Sequence, residues 1–120
     1  MKLYSFNRDT SHVIDQYGSR NAVVTHLANG DNQWFFVCIR LDAGGLLGRH
    51  RAVNTQLFCV IEGQGVVSGD DEEFLPIETG QAALWEPGEM HETRTENGLV
   101  AIVVAGKNLD PDPRLTLIKI

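Results

Sequence analysis

Glycine interrupts this chain at short intervals, at Gly44-Gly45, Gly48, Gly63, Gly65, Gly69, Gly80, Gly88, Gly98 and Gly106, and the intervening segments are rich in Val, Ile, Phe and Thr. Such runs predict strands, because branched and aromatic side chains pack on a pleated surface while glycine lets the backbone turn. Nine strands are expected, over 22–27, 33–41, 55–61, 65–68, 74–77, 81–85, 91–95, 99–105 and 115–120. Residues 51–62 are long enough for a helix, but Leu57-Phe58-Cys59-Val60-Ile61 is aromatic and β-branched, so a strand is expected there. Residues 11–17 predict one short helical turn, with Asp9, Thr10 or Ser11 as its cap. Leu99 to Val104 is apolar on both faces and suits a central strand, whereas Leu115 to Ile120 alternates and suits a half-exposed one. Gly63-Gln64-Gly65 predicts a hairpin turn, and the acidic run Asp70 to Glu73 a solvated hairpin tip. This many short strands in one domain demand two packed sheets or a small barrel.

Composition narrows the class. At 120 residues and 13.3 kDa, surface scaling gives about 6,400 Å² folded against about 19,000 Å² unfolded, enough burial for one core and too little chain for two. With 42% apolar and 22% charged residues the chain is too hydrophobic to be disordered. A net charge of −6, with basic residues scattered from Lys2 to Lys119, leaves no patch for neutralising phosphates, so no nucleic-acid partner is expected. The longest apolar run, Leu99 to Ala105, is far short of the roughly 20 residues that cross a bilayer, and residues 1–8 lack the apolar stretch of a signal peptide. A cytoplasmic protein without a membrane partner is expected. Cys38 and Cys59 sit inside apolar strand runs, where a free thiol behaves as a small core hydrophobe.

Two spaced patterns carry the chemistry. In the first, over 44–63, Gly44 is followed after five residues by His50, after one more by Ala52, after three by Gln56 and after six by Gly63. In the second, over 80–95, Gly80 is followed after five residues by Glu86-Pro87-Gly88 and after two more by His91. The two frames resemble the first and second motifs of the cupin superfamily, in the right order. With the strand pattern, the resemblance covers nearly the whole chain, 1–120, as a single domain. It implies an all-β fold: two antiparallel sheets curled into a conical barrel, a double-stranded β-helix of the jelly-roll type.

In cupins the first motif offers two histidines and a glutamate and the second a further histidine, all facing a divalent metal inside the barrel. The resemblance therefore places His50 and His91 at two ligand positions. Ala52 stands where the second histidine would be, Gln56 where the glutamate would be, Glu86 where proline is usual, and Thr95 where asparagine is common. A site of His50, Gln56 and His91 would hold Zn²⁺, Ni²⁺, Mn²⁺ or Fe²⁺ through two imidazoles and a neutral amide oxygen. It would hold that ion weakly, with a position open for a small molecule. A neutral histidine and an amide can equally satisfy one another with no ion present, and both readings stand on the residues alone.

Strand alternation sets Gln56, Phe58 and Val60 on one face, and directs Arg49 and Arg51 away from the face of His50 as surface ion-pair partners. The expected pocket is apolar with a few polar anchors, lined by Phe58, Val60, Trp85 and, by its parity with Val24, His26. Phe35, Val37 and Met90 are further candidate walls, each equally placed to be plain core. The expected function is small-molecule binding with a divalent-metal site. The alternatives are a metal-dependent oxygenase or isomerase and a non-catalytic dimeric sensor or structural module. A homodimer is expected, because Leu3 to Phe6 and Leu115 to Ile120 read as edge strands that need covering.

Overall fold

The computed structural model describes residues 1–120. Two 3-10 turns, Arg8–Thr10 and Gln16–Gly18, flank the two-residue strand β1 (His12–Val13). The rest is β2 (Arg20–Gly30), β3 (Trp34–Arg51), β4 (Thr55–Ser68), β5 (Leu75–Glu78), β6 (Ala82–Trp85), β7 (Met90–Arg94) and β8 (Leu99–Gly106). No helix is long and apolar enough to cross a membrane.

Two long strands organise everything else. The first half of β3 pairs with β2 and β8, and its second half, from Leu46, pairs with β7. Likewise β4 pairs with β8 and β6 along 55–63, then with β7 and β5 along 64–68. All these pairings are antiparallel, and β3, β8, β4 and β7 close a circuit with the core between its two sides. Buried Leu41, Phe58, Val60, Trp85, Leu99, Ala101 and Val103 belong to one apolar cluster inside it.

Each long strand must bend to serve both sides, and glycine permits this. Gly63 sits at φ +83, and a Cβ there would lie 2.3 Å from the Gly98 carbonyl oxygen. Only glycine meets both conditions, a left-handed backbone and contact with a neighbouring backbone. The Gly63-Gln64-Gly65 segment is therefore a bend inside continuous β4 and not the expected hairpin turn; the expected strands 55–61 and 65–68 are one strand.

The termini depart from expectation more sharply. Leu115 to Ile120 and Leu3 to Phe6 form no strands, and nearly every residue outside 11–106 is exposed. Residues 115–120 join no ladder: the sheet runs from β1 to β5 without them. The exposed tails also account for an accessible surface of 7972 Å², above the value of about 6,400 Å² for a compact chain of this mass. The single helical turn expected over 11–17 is instead a two-residue strand followed by a 3-10 turn, broken by Tyr17 at φ 57 and Gly18 at φ 72.

Gly63→Ala is expected to lower unfolding stability by at least about 2 kcal/mol, since strain at a left-handed residue and a backbone clash add. Urea denaturation of the purified variant checks this. A change below about 0.5 kcal/mol would mean that the bend relaxes freely.

Candidate functional site

Between the two sides of the barrel lies a cavity of about 230 Å³. Its walls are set by strand parity. Phe35, Val37 and Ile39 of β3, Gln56 and Phe58 of β4, Trp85 of β6, and Val103 and Ala105 of β8 point into it from one side. Leu47 and His50 of β3 and His91 of β7 close the other. Its lining is mostly apolar, with the polar groups gathered at the imidazoles.

His50 reaches this cavity by a local irregularity. Leu47 pairs with Thr93 and His50 with His91, so three residues of β3 advance against two of β7. That extra residue is a β-bulge at Gly48-Arg49. Without it, Leu47 and His50, three apart, would face opposite sides; with it both face the cavity, as bulges beside functional sites commonly arrange. Arg49 turns the other way. It donates to the Ser68 hydroxyl at 3.3 Å and to the Gly69 and Asp70 carbonyls at 2.8 and 3.3 Å, with Glu72 Oε1 3.5 Å from its Nε. The acidic run at 70–73 is exposed, as expected, and is anchored at this base. Arg51 donates to the Gly88 carbonyl and makes no ion pair.

The two imidazoles meet directly, with Nε2 of His50 and Nε2 of His91 3.1 Å apart. His50 Nδ1 lies 2.7 Å from the Gly48 carbonyl oxygen. A carbonyl only accepts, so Nδ1 carries the hydrogen, and in the neutral ring Nε2 keeps its lone pair. His91 Nε2–H then donates to it. Around the pair the rings are packed. Tyr17 stacks on His50 with centroids 4.3 Å apart and planes 3° from parallel, and Trp85 meets His91 edge-on at 4.5 Å. Trp85 is itself held by its indole N–H, which donates to the Ser68 carbonyl at 3.1 Å.

Burial, then the neighbouring His50, then Arg49 lower the pKa of His91 to about 4. A buried imidazolium would lose hydration and stand beside His50 and the Arg49 guanidinium, so the neutral ring is favoured at neutral pH. The nearest acidic lining residue, Glu92, lies one position along β7 and is paired with Arg94.

The expected site residues divide cleanly. His50, Gln56, His91, Phe58 and Trp85 line one cavity, as do Phe35 and Val37. Val60 does not: it is buried in the apolar core one inward position beyond Phe58, short of the cavity. His26 does not either: it pairs with cavity-lining Val37, but it stands on β2, one strand further out in the sheet, and its side chain is exposed. Met90 is absent from the lining, and Ala52 is buried at 2% exposure. Unforeseen members on the barrel strands are Ile39, Leu47, Thr93, Val103 and Ala105; Ile14, Gln16, Tyr17 and Ser19 come from the N-terminal segment, where alternation could not find them because they are not on a strand facing the cavity. Cys38 is buried and unpaired; Cys59 is partly buried, and burial raises its thiol pKa, away from nucleophile chemistry. A wider, shallower cleft of about 670 Å³ lies at the other end of β8, around Gly63 and Gly98. It holds no histidine, and its Arg8 is paired with Asp42 at 2.6 Å.

The donors do not make the four-ligand centre of the resembled family. No group of three or more His, Cys, Asp and Glu side chains converges anywhere in the chain. The imidazole spacing does suit a two-nitrogen grip, since nitrogens about 2.1 Å from one ion lie about 3.0–3.4 Å apart at octahedral or tetrahedral angles.

Stability should fall with acid, with a definable sign. The unfolded chain takes up the His91 proton from about pH 6.5 downward, whereas the folded chain does so only near pH 4. The contribution is therefore present above pH 6.5 and lost as the pH falls toward 4, up to about 3 kcal/mol. Denaturant melts in chelator between pH 7.5 and 4.5 should show His91→Phe losing less stability than the parent; parallel curves would contradict this.

No family model and no curated protein matches the sequence, but solved structures match the fold. Over 97% of this chain and 88% of the other, it is similar to the polyketide cyclase RemF from Streptomyces resistomycificus, at TM-score 0.75 and 17% identity. A predicted oxalate decarboxylase from Thermotoga maritima matches 82% of this chain and 92% of its own, at TM-score 0.73 and 20% identity. An RmlC-like cupin from Shewanella frigidimarina matches 92% and 95%, at TM-score 0.71 and 19% identity. Two bent strands shared between antiparallel sheets, a cavity between them and these structural likenesses together give this chain the cupin fold.

Proposed function

We propose that this chain binds a small, neutral, mainly apolar molecule carrying one hydroxyl group, which docks on the His50–His91 pair by accepting from His91 Nε2–H and donating to the His50 Nε2 lone pair. One observation carries the reading: the Nε2–Nε2 contact of 3.1 Å stands as a polar anchor in an otherwise largely apolar cavity. Apolar cavities of about 150 Å³ accept benzene, so about 230 Å³ suits a substituted single ring. Charge supports a neutral ligand. The nearest guanidinium, Arg49, is committed to Ser68, Gly69 and Asp70, and burial keeps the His91 imidazole uncharged at neutral pH. The likeness to a polyketide cyclase and a predicted oxalate decarboxylase supports a fold that serves small-molecule chemistry.

Titration with phenol, monitored by thermal shift and imidazole NMR, tests this. Phenol is expected to raise the melting temperature and to perturb the His50 and His91 ring signals. Ala105→Phe, which places a ring in the cavity from β8, should weaken phenol at least tenfold. Unchanged affinity in that variant would remove the cavity from the reading.

A second reading is a divalent ion held by His50 and His91, with the Gln56 amide as a third donor. It is favoured by the imidazole spacing and by the Gly48 carbonyl, which orients His50 as outer partners orient ligating histidines. This is the form in which a metal-dependent activity would arise. Under it, Gln56→Glu should tighten Zn²⁺ or Mn²⁺ at least tenfold by supplying a carboxylate. Equal metal content in the parent, His50→Ala and His91→Ala would leave the metal-free reading alone. A homodimer belongs to the same proposal, resting now on exposed Leu3, Tyr4, Phe6, Leu117 and Ile118 and not on strand edges.

A further inference from the structure

We propose that Tyr17 is a positioning residue: its ring fixes the plane of His50 and completes the binding cavity from a segment outside the barrel. This deepens the proposed function, since it rests on the imidazole pair being the ligand's polar anchor.

The local structure is built around bringing Tyr17 to this place. Gly48 lies in the β3 bulge, and a Cβ there would sit 1.7 Å from the Tyr17 carbonyl oxygen, so no other residue admits the turn. The Gly48 N–H donates to the Ser19 hydroxyl at 2.9 Å, tying the same segment to the same bulge. Tyr17 itself stands at φ 57, a left-handed conformation that a bulky residue avoids. Its side chain does not repay that strain by burial, because Tyr17 is 60% exposed. What it does make is one near-parallel stack, 4.3 Å from the His50 ring at 3°.

His50 is thereby held on three sides. Gly48 accepts from Nδ1, His91 faces Nε2, and Tyr17 covers one ring face. Hydrogen bonds at both nitrogens still allow the ring to tilt about the line joining them. A flat aromatic surface against the ring face removes that motion and keeps the Nε2 lone pair aligned with the His91 Nε2–H. The other cavity walls are strands held by ladders. The Tyr17 segment is joined to the barrel by the Ile14 N–H to the Ala22 carbonyl at 2.9 Å, by Ser19 to Gly48, and by the stack. Tyr17 therefore serves as the adjustable wall, and it sets how firmly the pair holds a ligand.

The test uses Tyr17→Gly and Tyr17→Phe in the full chain. Glycine accepts the left-handed backbone without strain, so Tyr17→Gly removes the ring while keeping the turn. Phenylalanine keeps the stack and loses only the hydroxyl. Long-range ¹H–¹⁵N spectra of the imidazoles at pH 7.5 report which His50 nitrogen carries the hydrogen, and phenol titration reports affinity. In the parent and in Tyr17→Phe, His50 is expected as the single Nδ1–H form, with dissociation constants for phenol within twofold. In Tyr17→Gly the His50 signals should average toward a mixture of the two forms and phenol should bind at least fivefold more weakly. Retention of the single Nδ1–H form in Tyr17→Gly would overturn the proposal, whatever the melting temperature does. Failure of the parent to bind phenol would instead count against the ligand reading, with the imidazole spectra still deciding the role of Tyr17.

Discussion

The structure depends on two strands that each belong to both sides of the barrel. An isolated two-stranded ribbon buries too little apolar surface to stand alone, and flat antiparallel sheets leave edges open. Passing β3 and β4 from one side to the other joins the sides covalently and closes the circuit through β7 and β8. The crossing demands sharp bends where backbone meets backbone, as at Gly63 against Gly98. The apolar cluster and the cavity are consequences of that closure, since the inward faces of both sides then share one interior.

The site follows from a smaller irregularity on the same strand. The bulge at Gly48-Arg49 advances β3 by one residue against β7 and thereby sends Leu47 and His50 into the cavity together while Arg49 leaves it. This separation has an electrostatic result. A guanidinium beside a buried imidazole helps to keep His91 neutral, yet its own hydrogen bonds run to Ser68, Gly69 and Asp70, outside the cavity. The interior is left with the imidazoles and the Gln56 amide as its hydrogen-bonding groups on mainly apolar walls, a chemistry that selects ligands by shape and by one polar contact.

Much of this was legible beforehand where a local rule applied. Glycine spacing and β-branched runs located β8, the middle of β2, the first half of β3 and both halves of β4, but not the run of β3 through 42–51; the two glycine–histidine frames brought His50, Gln56 and His91 to one cavity. Period-two alternation placed Phe58 and excluded Arg49 correctly because β4 and the end of β3 are extended there. It failed for Val60, whose inward direction leads past the cavity into the core, and for His26, which pairs with Val37 but stands one strand further out in the sheet, exposed. It failed again at Leu115 to Ile120, where a strand-like pattern meets no partner, and at Gly63, where a turn-forming triplet bends a strand without ending it. Alternation states which residues share a face; it does not say what that face meets.

The sequence by itself determined the β-rich fold, the positions where backbone must bend or approach backbone, and the two histidines available to face each other. Those follow from properties each residue carries alone: the missing Cβ of glycine, the branched side chains of strands, the lone pairs of imidazole. Only the tertiary structure decided that Nε2 meets Nε2, that the cavity ends before Val60, and that Tyr17 crosses from outside the barrel to cover His50. Each of these is a meeting of segments far apart in the chain. It is set by barrel closure and a one-residue bulge, and neither has a signature in any single stretch of residues.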